Sequence, residues 1–160
     1  MALRKILTDK EPALHKVCKS VTNFDKKLHT LLDDMAETLV DSQGVGLAAP
    51  QVGILRRVVL VDTGEGILEL INPTLVETDG EQIGPEGCLS VPGKYGLVKR
   101  PYYAKVRAQD RYGEWYEAEG EELIGRCFCH ELDHLDGILY TEIMERFLTE
   151  EELCYDEEEE

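Results

Sequence analysis

Leu28, Leu31, Leu32, Met35, Leu39 and Val40 recur at three- and four-residue intervals, the spacing that puts side chains on one face of a helix. The pattern predicts a helix from about residue 25 to 42 with Asn23 as its cap, and its stripe reads as core packing. Gly44 and Gly46 end that helix and open an unusual loop, GVGLAAPQVG. The periodicity then changes. Runs rich in Val, Ile and Leu over 57–62, 66–72 and 75–77 predict strands separated by Gly, Asn-Pro or charged turns. Further strands are expected at 96–99, 104–110 and 114–119, with Arg111-Tyr112-Gly113 turning between the last two. A second helix follows, with Glu121 and Glu122 in its first turn and Gly137 where it would stop. On it Leu123, Cys127, His130 and His134 share one helical face, which reads as an inward stripe. Helix, antiparallel-looking strands, helix, with no repeated βαβ unit, is the α+β pattern.

Composition narrows this picture. A chain of 160 residues is expected to be one domain that can bury a real core, and no apolar run is long enough for a membrane helix. The charged start, MALRKILTDKEPALHK, lacks the apolar centre of a signal peptide, so a cytoplasmic location is expected. Five cysteines argue for reduced thiols over a disulfide framework, with Cys18 and Cys154 read as incidental. The net charge of −16 disfavours unassisted binding to DNA or to an acidic membrane surface. Much of it lies in residues 149–160, an acidic block expected to be a solvated tail after a folded unit over 1–148.

The chemistry sits in Cys129-His130-Glu131-Leu132-Asp133-His134. Two imidazoles four residues apart on a helix, with a carboxylate beside the first, suit a metal ion that activates water while the Glu moves protons. Such centres usually take three protein ligands, so a third must come from elsewhere. Cys88 is the best placed, in Pro85-Glu86-Gly87-Cys88-Leu89-Ser90, where Gly and Pro hold an exposed backbone after a strand. Cys127 and Cys129 compete, but packing is the better expectation for both. Two other readings stay open: a zinc endopeptidase drawing its third ligand from Glu142 or Glu145, and a closed structural site of Cys88, Cys127, His130 and His134.

GVGLAAPQVG, EGCLS and HELDH, in this order and spacing, resemble the three signature motifs of the peptide deformylases over roughly residues 3–144. The resemblance implies antiparallel or mixed sheets around a central ligand-bearing helix, with Cys88, His130 and His134 holding one divalent ion. Ferrous iron is the expected ion, with zinc, nickel or cobalt possible in the isolated protein. It implies removal of formyl from the N-terminal formylmethionine of new polypeptides, by attack of a metal-bound water with Glu131 as general base and acid. The Gln51 side chain and the Leu89 N–H would steady the oxyanion. Val45 and Gly46 would pair with an extended peptide, Glu86 would border an apolar methionine pocket, and Tyr95 would line the cleft mouth. Arg100 would brace Asp133. The chain departs from the family at Cys129, where Gln is common. It departs again in its acidic end, where some members carry a basic helix that docks on the ribosome; proximity to the ribosome is compatible with this chain, but docking through the tail is not expected.

Overall fold

A computed structural model describes residues 2–153. Its elements in chain order are α1 (Lys26–Ser42), β1 (Gly46–Ala48), β2 (Val58–Asp62), β3 (Ile67–Asp79), β4 (Gln82–Cys88), β5 (Val91–Arg100), β6 (Tyr103–Gln109), β7 (Trp115–Glu121), α2 (Glu122–Leu135) and β8 (Arg146–Phe147), with short 3-10 turns between some of them. The strands form a five-stranded sheet, β1-β2-β3-β6-β7, and a three-stranded sheet, β4-β5-β8. All the strand pairs are antiparallel. The class is α+β.

The five-stranded sheet lies between the two helices. Alternation along β2 sends Val58 and Leu60 into one core with Leu28, Leu32, Met35 and Leu39 of α1. Val59 and Val61 enter the other, with Cys127, Phe128 and Leu135 of α2. Because both faces are covered, β2 is apolar at successive positions instead of alternating. Helix α2 packs along β6, β7, β1 and β2 and also reaches β5 of the smaller sheet. It ends at Leu135, and the chain turns away at Gly137, whose φ of +76° favours glycine. A Cβ there would come within 2.7 Å of the His15 carbonyl carbon and 2.8 Å of the Lys16 nitrogen. Cys18 then donates its backbone N–H to Leu135 O (2.8 Å), tying the N-terminal segment to the helix end.

Several expectations need correction. The cap of α1 is Asp25, whose carboxylate accepts from Leu28 N, and not Asn23. Val40 lies off the buried stripe and is exposed, as is Leu123 of α2. The runs at 66–72 and 75–77 are one strand, β3, broken in register by bulges between Ile71 and Thr74 and between Leu75 and Glu77. At the first of these, Asn72 holds a left-handed φ of +52°. Its side chain takes over as a clamp, bonding both Val21 backbone groups and Gln109. Strand β4 was not anticipated, and β5 starts at Val91, earlier than 96. At the start of the acidic end, Glu152 makes exposed contacts, pairing with Arg146 (2.8 Å) and accepting from Thr149 N (3.0 Å). Cys154 and the acidic residues 156–160 lie outside the described residues. Among the described residues, no helix is long and apolar enough to cross a membrane.

Candidate metal centre

Helix α2 places His130 and His134 on one face because they are four residues apart, and the end of β4 brings Cys88 to them. Cys88 Sγ lies 3.4 Å from His134 Nε2, which lies 3.2 Å from His130 Nε2. These three donors fall within 4.8 Å of one another, and they form the one such group among the described residues. Cys127, Cys129, Glu142 and Glu145 are not in it. Glu142 is instead committed to the Leu139 N–H at 2.7 Å.

The spacing fits a shared cation. With zinc-type bond lengths and tetrahedral angles, two nitrogens would sit about 3.3 Å apart and sulfur and nitrogen about 3.6 Å. His130 donates from Nδ1 to Glu86 Oε2 at 2.6 Å, which leaves its Nε2 lone pair facing the other donors. Two ring nitrogens and a sulfur facing one another this closely are best reconciled by a positive ion between them. Burial works against charge on His130, but its hydrogen bonds to Cys88 and Glu86 outweigh it and push its pKa well above the usual imidazole value. Burial and then the charge on His130 push His134 well below it.

Glu131 lines the same cavity as Cys88 and His130 and is 3 % exposed. Burial drives its pKa up to about 7, against the opposing charge of His130, and its Oε1 is sealed from solvent without a partner among the described residues. Gln51, 1 % exposed, is fixed at both ends. Its Oε1 accepts from Ala48 N at 2.9 Å, and its Nε2 donates to Ser90 Oγ at 3.1 Å and faces Cys88 Sγ at 3.7 Å. The Leu89 N–H, in the turn between β4 and β5, finds no backbone acceptor among the described residues.

A cavity of about 450 Å³ opens onto the donors and is lined by Val45, Gly46, Glu86, Tyr95, Cys127 and Glu131 among others. β1 is an edge strand of its sheet. A Cβ on Gly46 would lie 2.6 Å from Glu131 Oε2 and 2.7 Å from Cys127 Sγ, so only glycine lets that backbone pass so close to the helix. Tyr95, 45 % exposed, lies against Gly87 at the rim.

Glu86 is among the residues that line this cavity. Its carboxylate is buried and accepts from Arg100 Nε (3.0 Å) and Nη2 (2.7 Å), from Arg126 Nη1 (2.9 Å) and from His130. Burial alone would raise its pKa, but the bonds from His130 and then Arg100 hold it well below the usual carboxylate value. Arg100 also reaches Asp133 Oδ2 at 2.7 Å, and is itself buried. Sequence reasoning missed Arg126, Ser90 and Tyr140, whose ring stacks on His130 at 6.2 Å. The one signal for Arg126 was its position four residues before His130. Cys129 is a buried core residue whose thiol burial pushes up.

A model of the polypeptide deformylase family matches residues 3–149. The chain belongs to that family. It is 59 % identical to the peptide deformylase of Agathobacter rectalis, covering 91 % of this chain and 92 % of that protein. It is 56 % identical to the peptide deformylase of Caldanaerobacter subterraneus, over 96 % of each. Among solved family structures, that of the Thermotoga maritima peptide deformylase superposes with a TM-score of 0.86 at 40 % identity, covering 89 % of this chain and 97 % of that one. A Synechococcus elongatus family member, solved in complex with actinonin, gives 0.83 at 34 % identity, covering 94 % and 81 %.

Proposed function

We propose that the chain hydrolyses the formyl group from the N-terminal formylmethionine of newly made polypeptides, releasing formate and a free amine. The observation that carries this reading is the S,N,N donor group with a buried carboxylate beside it, in a chain of this family. Cys88, His130 and His134 would hold a divalent ion, which would supply Lewis acidity toward water and a carbonyl oxygen. The donor set suits ferrous iron, zinc, nickel or cobalt, and ferrous iron is taken from the family resemblance. Newly made polypeptides as substrate imply a cytoplasmic place of action.

The chain's own residues do the rest. Glu131 takes a proton from the attacking water and returns it to the amine nitrogen as the carbon–nitrogen bond breaks. A pKa of about 7 lets it hold or release that proton near neutral pH. Gln51 Nε2 and the Leu89 N–H are donors within the cavity wall, and they steady the oxygen on which negative charge develops. Gln51 needs no rearrangement, since its oxygen is already tied to Ala48. The peptide lies extended along Val45 and Gly46, where the chain enters β1 at an edge of its sheet. Glu86 holds the His130 ring from behind while Arg100 spans Glu86 and Asp133, which keeps α2 aligned with β4.

The test is formate release by the iron-loaded protein from a formyl-Met peptide beside its acetylated counterpart. Formate from the first alone is expected; none from a fully metallated sample refutes the reading. The endopeptidase alternative separates at Cys88→Ser, which should lose metal here and keep it there.

A further inference from the structure

Gln51, Cys88 and Leu89 line the cavity, whereas Ser90, next in the chain, does not. It is wholly buried. Its hydroxyl accepts from Gln51 Nε2 (3.1 Å), its N–H donates to Cys88 Sγ (3.4 Å) and its carbonyl accepts from Asp9 N (2.9 Å). The N-terminal segment that holds the Ser90 carbonyl also holds Gln51, since the Leu7 N–H donates to Gln51 O at 2.7 Å. Gln51 and Ser90 are thus joined twice, through side chains and through segment 7–9.

The side-chain link fixes a torsion. The last torsion of a glutamine side chain joins an sp³ to an sp² carbon and has broad, shallow wells, so the amide swings unless both of its ends are held. The Ala48 N–H holds the oxygen end at 2.9 Å. At the other end Ser90 Oγ takes one Nε2 hydrogen, and Nε2 also faces Cys88 Sγ at 3.7 Å, one of the three metal donors. The second hydrogen is therefore the one free to meet an oxyanion. Without the hydroxyl one anchor remains, and the amide can turn about it. That loss falls on the rate, because displacing a catalytic donor by about 1 Å can cost about a hundredfold.

We propose that Ser90 is a positioning residue for the hydrolysis: its hydroxyl takes one hydrogen of the Gln51 amide, so that the other is aimed at the oxygen on which negative charge develops. The inference rests on the deformylase reading above. Ser90 acts through Gln51, and no bond or proton changes at Ser90 itself. A hydroxyl that only satisfied a buried polar group would serve folding alone, and removing Gln51 separates the two roles.

The test compares Ser90→Ala, Gln51→Ala and the double variant, each as the metal-loaded full chain acting on a formyl-Met peptide. Gln51→Ala should lower kcat by about 10²–10³, the usual loss for one oxyanion donor. Ser90→Ala should lower kcat about tenfold, with KM within about twofold and metal stoichiometry unchanged. In the Gln51→Ala background the same change should lower kcat less than about twofold. A role in folding or metal binding would lower both backgrounds alike, and that result, or a wild-type kcat in Ser90→Ala, overturns the proposal. A second measurement needs neither turnover nor a folded Ser90 variant. NMR relaxation of the Gln51 side-chain nitrogen in the zinc-loaded wild type should give an order parameter near the rigid-backbone value of about 0.85, and a value below about 0.6 overturns the proposal. Failure of the wild type to release formate from formyl-Met would instead refute the deformylase reading, and the relaxation measurement would still decide whether the amide is held.

Discussion

Replacing Glu86 with Gln should separate what holds this site together from what makes it bind metal. The side chain of Glu86 is 3 % exposed and receives four donor contacts, from Arg100 Nε and Nη2, Arg126 Nη1 and His130 Nδ1. The amide keeps the volume but loses the charge, and its NH₂ end turns a donor toward donors. Two buried guanidinium groups are then left with Asp133, whose side chain is 28 % exposed. Stranding buried charge in this way costs about 3–5 kcal/mol, which for a chain of this length lowers Tm by about 6–20 °C. A second variant, Glu86→Leu with Arg100→Met and Arg126→Met, removes the charges together, and most of that stability should return. Metal affinity should not return with it, because His130 Nδ1 has still lost its acceptor. A 10- to 100-fold weaker Kd is expected in both variants. Urea melts and calorimetric metal titration measure the two quantities. A loss below about 1 kcal/mol in the single variant, or recovery of metal affinity along with stability in the triple, would show that Glu86 does not orient the ligand.

Glu131→Gln should keep metal at wild-type stoichiometry while kcat falls by about 10²–10⁴; loss of metal would mean that Glu131 is itself part of the metal site. Gly46→Ala forces a Cβ to within 2.6 Å of Glu131 Oε2. It should destabilise by about 1–3 kcal/mol and lower kcat with little change in metal affinity, and wild-type kinetics would show that Glu131 need not be held there. Chelation should lower Tm by about 5–11 °C relative to protein at a hundredfold excess of ion over Kd, from a linkage of about 2.7 kcal/mol. Identical melts with and without metal would exclude binding by the folded state alone.

What the sequence made legible follows from what each element packs against. β2 is covered on both faces, so its run of Val and Leu stands out. The His130 and His134 pair is visible because the helical repeat needs no knowledge of the rest of the fold. β4 is the counter-example. Its residues include Gly84, Pro85 and Gly87, which local propensity counts against a strand. It forms because β5 pairs with it from Gln82↔Arg100 to Cys88↔Val91. Pro85 is tolerated because β4 lies at the edge of its sheet. Cys88 could therefore be singled out by its motif, but not by any strand periodicity that would have aimed it at the histidines.

The charged layer under the site was hidden for a different reason. A hydropathy pattern treats a charge as an outward position, and Arg126 interrupts an otherwise apolar stretch before His130. A buried Arg becomes intelligible only when its partner is known, and Glu86 lies forty residues away on another element. The same carboxylate that accounts for Arg126 also orients His130, and through Arg100 it reaches Asp133, so the strand carrying Cys88 and the helix carrying the histidines are aligned by one buried anion. That explains why the metal ligands could be named from three short motifs while the residues aligning them could not. The ligands are defined by residue type and spacing; the alignment is defined by contacts between distant segments, which appear only once β4 and α2 are brought together.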